Sequence, residues 1–305
     1  MELTPIFRVE VNSSDVTDVL QKNMISLEVS DEEGVLSDEV TLKVAGAYTR
    51  PLYGDELKLW LGYEESGLEF LGTYKVQTTS RKNREVLSIK ATAVDFGGEL
   101  KRKKTRDFKD MSYKALCEQI AREHSLDVLC DFDADFSYFA QHDESDLAFL
   151  MRLAKDVNQI FSIKNNTLFF GAKKQEKLSY GVDYDDCISL DITHSNKTKY
   201  GSVKATWRDT KSNTDKEVSY GDENPTLEIQ GSFKDENEAL LKAKARLERA
   251  NKGTITGSLE MMGRVMFAGG TLHVSGSYDD GIYGIMRVSH RFDGGGFTTT
   301  VEFEN

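Results

Sequence analysis

The sequence predicts a mainly β protein with an α+β insertion: two related antiparallel β-barrels separated by a helix–hairpin module. Strand-like runs with one apolar and one polar face fill both ends of the 305-residue chain. Short motifs from the first end recur, in the same order, at the second. Between the two ends, the apolar period lengthens from two residues to the three- and four-residue steps of a helix.

Residues 1–104 are assigned to the first barrel. Phe7, Val9 and Val11 alternate with Arg8 and Glu10, and Ile25, Leu27 and Val29 alternate with Ser26 and Glu28. Val40, Leu42 and Val44 follow the loop Asp31-Glu32-Glu33-Gly34, and then come Leu57/Leu59/Leu61, Tyr74/Val76 and Leu87/Ile89/Ala91. Strands of this spacing with one face in water indicate an antiparallel barrel or sandwich. Lys101–Arg106 (KRKKTR) is the one basic cluster, and it is read as a solvated linker because it is short and lacks interleaved aromatics.

Residues 105–172 form the inserted module. A first helix spans about 112–123, with Leu116, Ile120 and Ala121 on its apolar face. The second begins near Ser145, and Leu147, Leu150, Met151, Ala154 and Val157 make a stripe that Phe149 and Leu153 widen. Asp143, Ser145 and the neighbouring acids suit its N-terminus. Phe161/Ile163 and Leu168/Phe170 then alternate around Asn165-Asn166, a two-residue hairpin turn.

Residues 173–305 carry the second barrel. Its strands are signalled by Ile188/Leu190/Ile192 and Val203/Ala205/Trp207, with Thr210–Lys216 as a polar turn. A helix over about 235–252 has Asp235 and Glu238 at capping-box spacing, and it is expected to pack back on the inserted module. The repeat pairs Gly54–Leu59 with Gly269–Val274, Gly72–Val76 with Gly281–Ile285, and Leu87–Ala91 with Phe297–Val301. Three correspondences in one order imply two copies of one unit.

The stretch Asp146, Leu147, Phe149, Leu150, Leu153, Ala154, followed by its hairpin, resembles the late-control gene D family of contractile phage tails. The resemblance implies a virion baseplate hub made in the bacterial cytoplasm. Its partners would be two further copies in a homotrimeric ring, a tail spike protein, a tail tube or tube-initiator protein, and other baseplate proteins. Because the sequence ends at Asn305 without spike repeats, the resemblance implies that the spike and any hydrolase are separate chains. The base of a type VI-like secretion spike shares the fold and is one alternative. Another is a carbohydrate- or receptor-binding β protein of the tail tip, with Trp60 and Trp207 as its aromatic platform; a third is a cell-wall hydrolase.

Other chemistry finds little support. The net charge of −12 argues against specific nucleic-acid binding, although DNA could pass an acidic wall without adhering. No run is long and apolar enough to span a bilayer, so direct membrane insertion is not expected, and the N-terminus lacks a signal-peptide pattern. Cys117, Cys130 and Cys187 lie far apart in sequence and read as free thiols. Asp131, Asp133 and Asp135 imitate a calcium loop but place Phe136 and His142 where Gly and Glu belong. Asp183, Asp185 and Asp186 read as turn acids, and His124, His142, His194, His273 and His290 contain no i, i+4 pair. No catalytic, cofactor or metal residue is assigned, and subunit-interface and lumen residues are left unassigned.

Overall fold

A computed structural model describes residues 3–34, 38–83, 85–93, 99–164, 166–172, 178–209 and 212–305. The first lobe contains β1 (Pro5–Val11), β2 (Ser14–Asp15), α1 (Thr17–Gln21), β3 (Met24–Glu32), β4 (Glu39–Ala45), β5 (Glu56–Tyr63), β6 (Gly67–Lys82) and β7 (Val86–Thr92). The inserted module contains β8 (Lys103–Ser112), α2 (Tyr113–Glu123), β9 (Asp127–Cys130), β10 (Asp135–Ser145), α3 (Asp146–Asp156), β11 (Ile160–Lys164) and β12 (Thr167–Gly171). The remainder contains β13 (Ser179–Asp183), β14 (Cys187–His194), β15 (Ser202–Asp209), β16 (Thr214–Gly221), β17 (Thr226–Gln230), α4 (Glu236–Asn251), β18 (Ile255–Met262), β19 (Thr271–Ser275), β20 (Gly281–Asp293) and β21 (Gly296–Glu304).

The two ends are copies of one six-stranded unit. Hydrogen-bonded neighbours run β3-β4-β7-β6-β5-β1 in the first lobe and β14-β18-β21-β20-β19-β13 in the second. The register irregularities repeat as well: β6 slips against β7 between Val76 and Thr78, and β20 slips against β21 between Ile285 and Arg287. β3 slips against β4 between Met24 and Ser26, and β14 against β18 between Cys187 and Ser189. One difference stands out, because β1 joins β5 antiparallel whereas β13 joins β19 parallel.

The register also corrects one predicted correspondence. Val76 faces Ala91 and Ile285 faces Phe303, so Leu87–Ala91 matches Thr299–Phe303 and not Phe297–Val301. A slip of two residues leaves every side chain on the same face, so alternation alone does not detect it.

Neither unit closes on itself among the described residues. The outer edge of β3 is taken by β20, through seven residue pairs from Arg287↔Glu32 to Asp293↔Ser26. The two units therefore share one 13-stranded sheet where the sequence suggested two closed barrels. Buried Val9, Leu27, Leu42, Leu59 and Ile89 lie beneath the first unit, and Leu259, Leu272, Ile285 and Val301 beneath the second. Val265 and Phe297 of the second lobe belong to the core of the first. At the seam His290 is buried: its Nε2 lies 2.9 Å from the Met266 carbonyl and its Nδ1 3.0 Å from Thr299 Oγ1. Burial holds its pKa below the usual histidine value, so the ring is neutral there.

Both insertions interrupt this repeat without disturbing it. In the inserted module, α2 and α3 lie over the three-stranded sheet β11-β12-β9, with the ribbon β8-β10 alongside. Ser112 and Ser145 cap the helices by accepting hydrogen bonds from the Ala115 and Ala148 amides at 3.1 and 3.2 Å. The most deeply buried face of α3 is Phe149, Leu150, Leu153 and Ala154, and Leu147 and Met151 lie at its margin. Asn166 has the positive φ of 61° expected of the hairpin turn, while Asn165 lies outside the described residues, as does the 173–177 segment beside the expected boundary. The second insertion, β15–β17 with α4, falls between β14 and β18 and has its own core of Val203, Ala205, Trp207, Ala239, Ala243 and Leu247. The far side of α4 meets α3: Asn158 donates to Glu248 at 2.7 Å, and Arg249 donates to the Lys155 carbonyl at 2.7 Å.

Phe149 is fully buried and stacks on Phe108 with ring centroids 5.3 Å apart. Phe149→Ala is expected to cost about 3–5 kcal/mol in urea unfolding of the inserted module, through lost burial and the cavity left behind.

Candidate assembly surface and its charged anchor

The acid that opens α3 does more than begin a helix. Asp146 is 0% exposed and gathers four partners from three other elements. Lys104 Nζ lies 2.6 Å from Oδ2, Arg106 donates to Oδ1 at 2.7 Å, His124 Nε2 lies 2.7 Å from Oδ2, and Gln141 Nε2 donates to Oδ1 at 2.8 Å. Glu123, at the end of α2, closes the network by accepting from Arg106 at 2.6 Å and Lys104 at 3.0 Å. The irregular register of β10 between Gln141 and Glu144, with Asp143 at φ 48°, turns Gln141 toward the carboxylate.

The KRKKTR segment is therefore corrected from a solvated linker: its last four residues, Lys103–Arg106, are the start of β8. Its alternate residues Lys104 and Arg106 point at the buried acid. Burial acts to raise the Asp146 pKa. Hydrogen bonds from Lys104, His124 and Gln141, together with the Arg106 charge, outweigh it and hold the carboxyl below its usual value. Glu123 is likewise held low, against its own burial, by hydrogen bonds from Arg106 and Lys104. Glu123, His124 and Asp146 offer ligand atoms within 4.8 Å of one another, as a metal centre would. The Lys104 and Arg106 cations already occupy that space and neutralise the acids, so the donor set fits a structural ion network and not a metal.

A broad polar strip crosses both lobes on the opposite face of the shared sheet from the cores. One row reads Ser258, Glu302, Arg287, Glu32, and the next reads Glu260, Thr300, Ser289, Ser30, Glu39. A third reads Thr298, Arg291, Glu28, Thr41, Lys90. Ion pairs run along it, from Arg287 to Glu32 at 3.3 Å and from Lys90 to Glu39 at 2.9 Å. With Asp293 and Lys43 included, six acids (Glu28, Glu32, Glu39, Glu260, Asp293, Glu302) face four bases (Lys43, Lys90, Arg287, Arg291). The strip is thus mixed in charge with a small acidic excess. That suits a wall for a polyanion to pass better than a surface to hold one.

The remaining candidates take ordinary places. Trp60 lies on the outer face, 5.1 Å from the Phe70 ring and beneath the Arg8 guanidinium at 5.0 Å. Trp207 is only 6% exposed and packs against Phe233 within the α4 core, so it is corrected from a platform residue to a core residue. Asp183 accepts from the Asp185 amide and from Ser275 Oγ, at 3.2 and 3.0 Å, and caps a short turn. Cys117 and Cys130, distant in sequence, are brought together by α2 packing on β9. A hydrogen bond from Cys117 lowers the Cys130 thiol to about 7, and that same bond together with burial pushes the Cys117 thiol up.

The chain is built as a repeated sheet unit fused to its own copy, with a polar strip on one face of the shared sheet. The phage tail baseplate hub (GPD) family model matches residues 76–295, well over half of the chain, and the chain belongs to that family. It is 30% identical over 175 residues to a probable baseplate hub protein of Escherichia phage 186, a match covering 55% of this chain and 45% of the relative. The corresponding protein of Escherichia phage P2 is 25% identical over the same length, so the match spans about half of these curated relatives. Among solved structures, the 43 kDa tail protein of prophage MuSo2 from Shewanella oneidensis superposes with a TM-score of 0.73 at 12% identity, covering 98% of each chain. A tail protein of Neisseria meningitidis MC58 gives 0.73 at 13% identity, covering 99% of this chain and 96% of that one. An E. coli type VI secretion system component gives 0.63 at 11% identity, covering 98% and 76% respectively. At these identities the superpositions establish a shared fold.

Replacing Asp146 by Asn leaves Lys104 and Arg106 without their buried counter-charge, and it is expected to cost about 3–5 kcal/mol in chemical denaturation. Because the folded-state pKa is lowered, the stabilisation is complete above the unfolded carboxylate value of about 3.9 and is lost as pH falls through the lower native value. Acid titration of unfolding should therefore show a loss below about pH 4 in the wild type that is smaller in Asp146→Asn.

Proposed function

We propose that the chain is a structural baseplate hub of a contractile phage tail, a virion component acting as a homotrimeric ring. The ring seats a tail spike protein on one side and a tail tube or tube-initiator protein on the other, among other baseplate proteins. The observation that carries this reading is the internal repeat. Each chain holds two near-equivalent sheet units, so three chains present six, and a threefold spike can meet a sixfold tube.

In this reading the polar strip lines the lumen, and its mixed charge lets cargo pass without specific nucleic-acid contacts. Residues 1–104 and 173–305 supply the ring units, and 105–172 forms an outer module braced by α4. The chain breaks no bond: the Asp146 cluster is saturated by its own cations, and its role is to hold the helix–hairpin in place. The buried position of Trp207 weighs against the glycan-platform alternative.

Light scattering over a concentration series tests the ring. Closed threefold assembly gives about 103 kDa, three times the 34.3 kDa chain, and a stable dimer would contradict it.

A further inference from the structure

Two cysteines far apart in sequence meet in the inserted module. Cys117 sits in the middle of α2 and is 0% exposed, inside the module core. Cys130 ends β9, is half-buried, and packs on that same core. The chain reverses between them: the Leu126 amide donates to the Ala121 carbonyl at 2.9 Å, and β9 runs back along α2. Its last residue thereby returns to the level of Cys117, and the two thiols share a hydrogen bond. Cys130 Sγ also reaches the Phe132 carbonyl, at 3.6 Å.

This corner of the module is lightly held. β9 has four residues, pairs with β12 along one edge, and has no strand partner on the other among the described residues. Val128 and Leu129 are exposed, so the strand buries little of its own apolar surface. Short, open edges of this kind unfold locally before the core does. A covalent bond from Cys130 back to α2 would close a loop of about 14 residues and remove much of that freedom.

We propose that Cys117 and Cys130 are a modification site, a dithiol that a small-molecule disulfide such as oxidised glutathione converts to an intramolecular disulfide stapling β9 to α2. The proposal does not depend on the hub reading. Cys130 attacks first, because it is the more exposed of the two and its thiol is the more acidic, at about 7. Lys114 favours its thiolate and Asp131 opposes it. The thiolate bonds to one sulfur of the oxidant, the oxidant's S–S bond breaks, and one glutathione thiolate leaves with the electron pair. The Cys117 sulfur then attacks Cys130 Sγ, and its proton passes to the second glutathione as that leaves. Two protein thiols are oxidised, and one glutathione disulfide is reduced to two thiols. Cys187 supplies the internal contrast: its Sγ donates to the Asp183 carbonyl at 3.5 Å, and burial and the nearby Asp186 and Asp183 push its thiol up.

The test treats the full, folded, reduced chain with oxidised glutathione, alkylates the remaining thiols, and maps the products by peptide mass. The three free thiols are expected to fall to one, Cys187, with Cys117 and Cys130 recovered as one linked peptide that dithiothreitol separates. Cys117→Ala should stop at glutathione held on Cys130, and Cys130→Ser should leave Cys117 unmodified. In a Cys187→Ser background, oxidation should raise the urea midpoint of the inserted module by about 1–2 M, reversibly on reduction. The parent chain decides the question even where a core variant fails to fold. Both cysteines remaining open to alkylation, or glutathione persisting on Cys130 in the parent, would overturn the pair and leave the hub reading untouched. A disulfide that leaves the urea midpoint unmoved would overturn the staple.

Discussion

The architecture depends on where β20 ends. It is 13 residues long and β19 only five, so its second half, still paired with β21 along one edge, runs past β19 along the other and offers a row of backbone donors and acceptors there. Exposed strand edges invite pairing, and here β3 of the other unit satisfies the edge. That contact keeps the first unit from closing into a barrel. It aligns the two polar faces into one strip and brings Val265 and Phe297 into the opposite core. A single backbone ladder thus sets both the spacing of the two units and the continuity of the surface they present.

The inserted module obeys a different constraint. Its helices need a fixed start, and Asp146 provides one by tying α3 to β8, β10 and the end of α2 at once. A buried carboxylate is tolerated only when its hydrogen bonds are filled, and four donors fill this one. The acid, the two cations from β8 and Gln141 from the irregular stretch of β10 form one unit, so losing any member strains the others. The α4 helix braces this module from outside, by way of Asn158–Glu248 and Arg249.

Much of this was legible in the sequence, for physical reasons. Alternation exposes half-buried strands, so the sheet content and the repeated Gly54/Gly269 and Tyr74/Tyr283 positions stood out. What alternation cannot carry is which edge a strand pairs along, so the β20–β3 seam and the open unit were invisible. The two-residue slip in matching Leu87–Ala91 has the same origin. The Asp146 network was missed because charge reads by default as solvated. The available signal was the i, i+2 spacing of Lys104 and Arg106, which places both on one face of a strand. Trp207 was misread because its strand belongs to the separate β15–β17 sheet, which α4 covers.

Native-state hydrogen exchange resolved by residue tests the central claim that the seam makes the two units one cooperative sheet. If it does, amides in the Ser26–Glu32 and Arg287–Asp293 ladder exchange as slowly as those in the centres of β4 and β21. If the seam amides exchange much faster while β4 and β21 stay protected, the lobes are separate bodies in contact, and the continuous sheet is not what organises the molecule.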